Sequence, residues 1–261
     1  MREILGLVRS VIIYHRGGRA RRAALDRWYG RFLSAGELGF DVGAHVGDRI
    51  ACFRRLGARV VAVEPQPGPL RVLRLLFGRD RNVTLVAAAV AAAPGEVKLH
   101  LNPANPTVST ASTDFLKAAD GAAGWQGQRW SETVTVPALT LDQLVAEHGM
   151  PAFAKIDVEG FEAEALAGLS RPPRALSFEF TTIQRDVALA ALGRLSALGY
   201  TAFNASLGES LAFAHPAPID AAAMAAWITG LPAEANSGDV YASLDPALLA
   251  GDATRPRNSA A

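Results

Sequence analysis

Residues 39–65 read GFDVGAHVGDRIACFRRLGARVVAVEP. Gly39-Phe40-Asp41-Val42 and Arg59-Val60-Val61-Ala62-Val63 are apolar runs of strand length, and Asp48 to Leu56 between them has the pattern of a helix closed by Gly57. Strand, helix and strand in that order form a βαβ unit, whose right-handed crossover makes the two strands parallel.

The same alternation continues outward. Pro69 to Phe77 is expected as a helix with apolar Leu70, Leu73 and Leu76, and Asn82 to Val90 as a third strand. Glu96 to Leu101 alternates with period two after the Pro94-Gly95 turn, which fits a half-exposed antiparallel strand that leaves the layered pattern. Asn102 to Trp130 is rich in Pro, Ser, Thr and Gly and is expected as a long loop, with some helix near Asp114 to Ala119. Val134 to Val136 is a strand, and Thr140 is a plausible N-cap for the helix opening at Leu141.

Alternation resumes with a buried strand at Ala152 to Val158, a helix from Phe161 to Leu169 and a strand at Ala175 to Phe180. A helix from Val187 to Leu198, closed by Gly199, then leads to strands at Tyr200 to Phe203 and Asp239 to Ala242. The alanine patches at Ala87 to Ala93 and Ala221 to Ala226 read as compositional. Together these predict an α/β fold with a mostly parallel sheet of about seven strands, helices on both faces and a hairpin or loop insertion.

Composition limits the partners. The chain has 261 residues, 50% of them hydrophobic, and its 26 Lys+Arg against 25 Asp+Glu leave a net charge of +1, so bulk charge selects no nucleic acid. The single cysteine, Cys52, excludes an internal disulfide and a Cys-rich zinc cluster. The N-terminal apolar stretch is broken by Arg9 and falls short of the ~20 apolar residues of a membrane span, so a cytoplasmic location is expected. That end is basic, and with Leu5, Val8, Ile12 and Ile13 it reads either as a solvated helix packed on the main domain or as an amphipathic helix lying on a membrane or an anionic partner.

The chemistry concentrates at predicted strand ends. Asp41, Gly43, His45 and Gly47 occupy the first strand-to-helix turn, where glycines let backbone N–H groups approach a ligand. The G-x-G-x-x-G of a dinucleotide site is missing, which speaks against an NAD-dependent oxidoreductase, and Asp41 would repel phosphate. Glu64, followed by Pro65 and Gln66, lies roughly 20 residues on, the spacing at which an acid meets ribose hydroxyls. An acid for an amino group and an acid for a ribose describe S-adenosylmethionine. A later strand ends in Lys155-Ile-Asp-Val-Glu-Gly-Phe-Glu162, where Asp157 follows an apolar run and requires a partner, either a sulfonium-bearing ligand, a substrate hydroxyl or Lys155. Glu162 reads as helix-dipole complementation.

Asp41-Val-Gly-Ala-His-Val-Gly47, Val63-Glu64-Pro65, Pro94-Gly-Glu-Val97, Thr140-Leu-Asp142 and Lys155 to Glu162, in that order, resemble the FkbM family of S-adenosylmethionine-dependent methyltransferases from about Leu38 to Leu244. The departure is His45, where the family loop usually has Asn. The resemblance implies a class I methyltransferase fold with an antiparallel last strand. It places Asp41, Gly43, His45 and Gly47 at the methionine end of the cofactor, Glu64 on the ribose with Pro65 and Gln66 beside it, and Ala88 or Ala89 at the adenine edge. Three segments follow: a basic helical segment at 1–36, the methyltransferase domain at 37–244 and a flexible tail at 245–261.

Family members commonly methylate hydroxyls of sugars, polyketides or other small metabolites, so a small-molecule or glycan hydroxyl acceptor is the expected partner. An alcohol must lose its proton, and Asp157 is the first choice as acceptor, with Glu159 and Glu179 as helpers or substrate contacts. No metal ligands are assigned, although Asp157, Glu159 and Glu179 could gather a divalent cation. The rival from another class is a scaffold that binds the cofactor without turnover. Ser109, Thr110, Ser112, Trp125 and Trp130 make the long loop a candidate lid.

Overall fold

A computed structural model describes residues 2–15 and 18–251. β1 (Leu38–Val42), β2 (Arg59–Val63) and β3 (Val83–Val86) pair in parallel, joined by α3 (Asp48–Arg55) and α4 (Pro67–Phe77). β7 (Phe153–Ile156) pairs in parallel with the other edge of β1, and β8 (Ala175–Thr181) pairs in parallel with β7. β10 (Ser237–Ser243) inserts antiparallel between β8 and β9 (Ala202–Leu207), giving a seven-stranded sheet of order β3-β2-β1-β7-β8-β10-β9.

Period-two alternation divides the strands between two cores. Phe40, Val42, Ala154, Ile156, Leu176 and Phe178 point to one face and pack with α6 (Leu141–His148), α7 (Glu162–Ala167), α8 (Arg185–Ala197) and α9 (Ala221–Gly230). Val60, Ala62, Phe153, Ala175 and Tyr241 point to the other and meet α3 and α2 (Gly18–Tyr29). The end of the basic N-terminal segment is therefore part of the core: Trp28, Tyr29 and Phe32 are buried, Phe32 stacks on Phe153 at 4.7 Å, and Trp28 Nε1 donates to the Tyr241 hydroxyl at 2.9 Å.

Several expectations need correction. The strand expected over 82–90 is broken after Val86, and Ala89–Val90 (β4) joins a second sheet of order β4-β6-β5 with Gly95–Leu101 (β5) and Glu132–Leu139 (β6). Ala221 to Ala226, expected as compositional, opens α9, because Asp220 accepts from Ala223 N–H as N-cap and Met224 and Ile228 bury a face. Residues 245–251 lie outside a flexible tail: Leu249 is buried and its carbonyl accepts from Asn204 Nδ2 at 2.9 Å. The rest of that expected tail lies outside the described residues.

Thr140 caps α6 with Gln143 in a capping box. Within the 102–130 segment, α5 (Thr113–Ala119) contributes Phe115 to a small cluster with Trp125 and Trp130, so both tryptophans pack against the protein. No helix among the described residues is long and apolar enough to cross a membrane.

Candidate active site

Strand register builds the site. Val42 pairs with Val63 and with Ile156, and Ile156 pairs with Phe178. The next residue on each strand is Gly43, Glu64, Asp157 and Glu179, so these four lie in one row across the carboxyl edge of β2, β1, β7 and β8. Asp41 and Lys155 are paired two rows deeper and, by alternation, face the same side as Gly43 and Asp157. The cleft above this row has an empty volume of about 1000 Å³, mouth included.

Close approach at Gly43 makes the row continuous. Its φ is +85°, and a Cβ there would lie 1.7 Å from the Asp157 carbonyl oxygen, so only glycine lets the end of β1 meet the end of β7. His45 also sits in the left-handed region at φ 47°. Asn and His are both enriched there, which accounts for His45 holding the backbone geometry of the Asn usual in the loop. Gly47 does not line the cleft as expected of a cofactor contact. Its φ of +84° starts α3, and a Cβ would meet Phe77 and Leu73, so its constraint is packing beneath the loop.

Glu64 is a buried clamp. Its Oε2 accepts from His45 N–H at 2.8 Å and its Oε1 from Gln66 N–H at 2.7 Å, tying the β1–α3 loop to the β2–α4 loop. Each oxygen keeps a second lone pair for a ligand hydroxyl. Burial raises its pKa to about 8 against these two hydrogen bonds. Burial likewise lifts Asp41 to about 7, with Lys155 opposing, and Asp41 Oδ2 is buried without a hydrogen-bond partner. His45 is pushed down to about 4 by burial, so its ring is neutral, and it meets Tyr14 edge-on at 5.5 Å.

On the β7 and β8 side, Lys155 is 3% exposed and its Nζ lies 2.5 Å from Asp157 Oδ2 and 3.6 Å from Asp239 Oδ1. Burial alone would raise the Asp157 pKa, but the Lys155 ammonium and hydrogen bonds from Lys155 and Glu179 hold it below the ordinary carboxylate range. Glu159 and Glu179 are held well above that range by burial and by the neighbouring Asp157 charge. Carboxylate oxygens of Asp157, Glu159 and Glu179 lie within 4.8 Å of one another. Glu162 serves the backbone: its Oε1 accepts from Val158 and Gly160 N–H at 3.0 and 3.3 Å.

Pro65, Gln66, Ala88, Ala89 and Ser109 line the cleft, as do Asp41, Gly43, His45, Glu64, Asp157, Glu159 and Glu179. Thr110 and Ser112 do not; Thr110 Oγ1 donates to the Glu159 carbonyl at 2.6 Å, and Ser112 caps α5. Asp239, Arg49, Glu209 and Tyr14 were not legible in the sequence. Arg49 is gripped by Asp48 and Glu209 and donates to the Tyr29 hydroxyl, and Tyr14 enters from α1 (Arg2–His15). A charge inside the apolar run Asp239-Val-Tyr-Ala was the one available signal for Asp239.

Residues 41–200 match the family described as "Methyltransferase FkbM domain". The chain belongs to the FkbM methyltransferase family. This FkbM-family chain is 30% identical over 152 residues to the hexuronic acid methyltransferase AglP of Haloferax volcanii, a match covering 57% of the chain and 56% of that relative. The chain thus spans about half the length of the curated relative it matches.

Similar solved structures include a precorrin-6y C5,15-methyltransferase of Geobacter metallireducens, at 14% identity and TM-score 0.42, covering 85% of this chain and 86% of that one. A TehB-like SAM-dependent methyltransferase of Corynebacterium glutamicum is 11% identical with TM-score 0.43, covering 84% of this chain and 86% of that one.

The cofactor of this FkbM-family chain is S-adenosylmethionine, and the cleft fits it. The unpartnered Asp41 Oδ2 suits an ammonium, Glu64 has free lone pairs for a hydroxyl pair, and Ala88 and Ala89 leave the adjoining wall small and apolar.

Proposed function

We infer that the chain transfers a methyl group to a hydroxyl of a sugar or similar small acceptor. The observation that carries this is the division of one sheet edge into two halves: Asp41 and Glu64 at β1 and β2, and Asp157, Glu159 and Glu179 around the ends of β7 and β8. The first half would hold the donor, with Asp41 on its amino group and Glu64 on its ribose. When bound, the cofactor supplies an electrophilic methyl group on a sulfonium.

The second half would hold the acceptor. Asp157 is kept ionised by Lys155, so it stands in the form that can take a hydroxyl proton, and its side chain is 32% exposed. Glu179, whose carboxylate lies within 4.8 Å of that of Asp157 and which is held protonated, would steady that carboxylate as the proton arrives. Glu159 and Glu179, held protonated by burial and by the Asp157 charge, would donate hydrogen bonds to acceptor oxygens beside it. The relative AglP is named a hexuronic acid methyltransferase, which supports a sugar-type acceptor. The enzyme's own contribution is chiefly positioning, because in-line transfer needs the acceptor oxygen within ~3–3.5 Å of the methyl carbon.

The test uses the full chain, S-adenosylmethionine and a panel of hydroxylated sugars that includes a hexuronic acid, with products analysed by mass and by treatment with mild base. A base-stable methyl ether is expected, and Asp157→Asn should lower the rate roughly 10²–10⁴-fold while cofactor affinity holds. An unchanged rate removes Asp157 from the role of base. A base-labile methyl ester moves the acceptor to a carboxylate, and binding without any turnover across the panel favours the scaffold alternative.

A further inference from the structure

Helix α1 is oriented unusually. A surface helix normally turns its apolar stripe to the core and its polar face to water. Here Gly6, Ser10 and Tyr14, spaced four apart, form the inward face: Gly6 and Ser10 are buried, and a Cβ on Gly6 would come within 2.6 Å of the Pro103 carbonyl and 3.0 Å of the Pro106 ring. Tyr14 reaches the cleft, and His15 Nε2 lies 2.7 Å from the Val46 carbonyl in the cofactor loop. The outward face is aliphatic, with Ile4 64%, Leu5 63% and Val8 51% exposed and Ile12 and Ile13 exposed beside them.

This face continues onto α4. Ile4, Leu7, Val8, Val11 and Ile12 form an apolar groove with Val72, and Leu75 and Leu76, three and four residues beyond Val72 on the same helix side, are exposed. Exposed apolar surface of this extent marks an interaction site. The same two helices carry Arg9, Arg71 and Arg74, which are exposed and form no ion pair among the described residues. Glu3 is the exposed carboxylate on α1.

We propose that the α1/α4 face docks on the surface of an anionic lipid membrane, with the aliphatic side chains in the acyl boundary and the arginines among the headgroups. An interfacial helix combines those two features, and each arginine near an anionic surface adds attraction that salt screens. A second copy of the chain fits less well, since a two-fold contact through this face would oppose arginine to arginine. A single-stranded nucleic acid would use stacking aromatics, and the outward residues are aliphatic. This inference does not depend on which residue serves as base or which hydroxyl is methylated.

The experiment is flotation of the full chain with vesicles of phosphatidylcholine alone and of phosphatidylcholine mixed with phosphatidylglycerol. Three variants accompany it: Val8→Glu with Ile12→Glu, Leu75→Ser with Leu76→Ser, and Arg71→Ala with Arg74→Ala. Each is checked for fold by calorimetric titration with S-adenosylmethionine, so a variant that fails to fold is set aside and the others decide. Co-flotation with the anionic vesicles is expected, reduced at least about tenfold by folded variants and abolished at roughly 0.5 M salt, where the Debye length shrinks to a few Å. Three outcomes overturn the proposal: no flotation with anionic vesicles at low salt, flotation that every folded variant retains, or a solution dimer by light scattering that Val8→Glu with Ile12→Glu dissociates.

Discussion

Lys155 Nζ lies 2.5 Å from Asp157 Oδ2, a contact set by strand geometry, since residues two apart on a strand share a face. Within the Lys155-Ile156-Asp157 run, Ile156 turns to the opposite core while the two charges meet at the edge of the cleft. The ammonium is 3% exposed and also faces Asp239, so one buried cation serves two carboxylates.

Lys155→Met removes that cation and leaves Asp157 and Asp239 without their counter-charge. Breaking one side of a buried pair costs about 3–5 kcal/mol, which urea unfolding would measure. Asp157→Asn with Asp239→Asn, added to Lys155→Met, should recover part of the loss. Recovery absent in the triple variant would show that Lys155 stabilises by packing alone.

Two glycines separate backbone constraint from mere occurrence. Gly43→Ala would set a methyl against the Asp157 carbonyl at a φ of +85°, whereas Gly193 in α8 has nothing within 4 Å of its would-be Cβ. Gly43→Ala is expected to cost at least roughly 3 kcal/mol and to abolish cofactor binding. Gly193→Ala should be neutral or stabilise by up to about 1 kcal/mol through helix propensity. Thermal unfolding and titration with S-adenosylmethionine compare the two.

Cofactor affinity should depend on pH through Asp41. Burial sets its pKa at about 7 in the ligand-free protein, and an ammonium ligand pairs with the ionised form. Below pH ~7 the proton must leave before the pair forms, so affinity should weaken by up to about tenfold per pH unit, and above it the affinity should level off. Calorimetry at pH 6 and pH 8 tests this. Asp41→Asn should bind more weakly at both and lose the slope.

Stability of the ligand-free protein should show the matching trend. Asp41, Glu64 and Glu162 have pKa values of about 7, 8 and 7, all raised by burial above their unfolded values. Protonation therefore favours the folded state: this contribution is complete below the unfolded values near 4 and is lost as pH rises through the folded ones. The midpoint of thermal unfolding should be higher at pH 6 than at pH 8.5, and S-adenosylmethionine should narrow the gap by giving Asp41 a cation. A midpoint that rises with pH over this range would contradict the assignment.

How much was legible in the chain depended on the range of the signal. The βαβ unit, the parallel order and the acids at strand ends followed from periodicity and from breaks at glycine, because both are local. Ala87-Ala88 carries no side-chain period, so the break that sends Ala89–Val90 to a second sheet was hidden. Ala221 to Ala226 has no amphipathic pattern, and its helix rests on the Asp220 cap and on Met224 and Ile228 meeting the core.

The order of residues by itself determined the class of fold, the family and the row of groups that ends the central strands, since alternation in a parallel sheet brings such ends to one edge whatever surrounds them. Only the tertiary structure decided that Lys155 is shared with Asp239, that Glu64 clamps two loops through both its oxygens, and that α1 turns its aliphatic face outward. Those facts depend on antiparallel insertion of β10, on loop approach and on which helix face finds a surface to cover. Each joins residues far apart in the chain, where no spacing rule reaches.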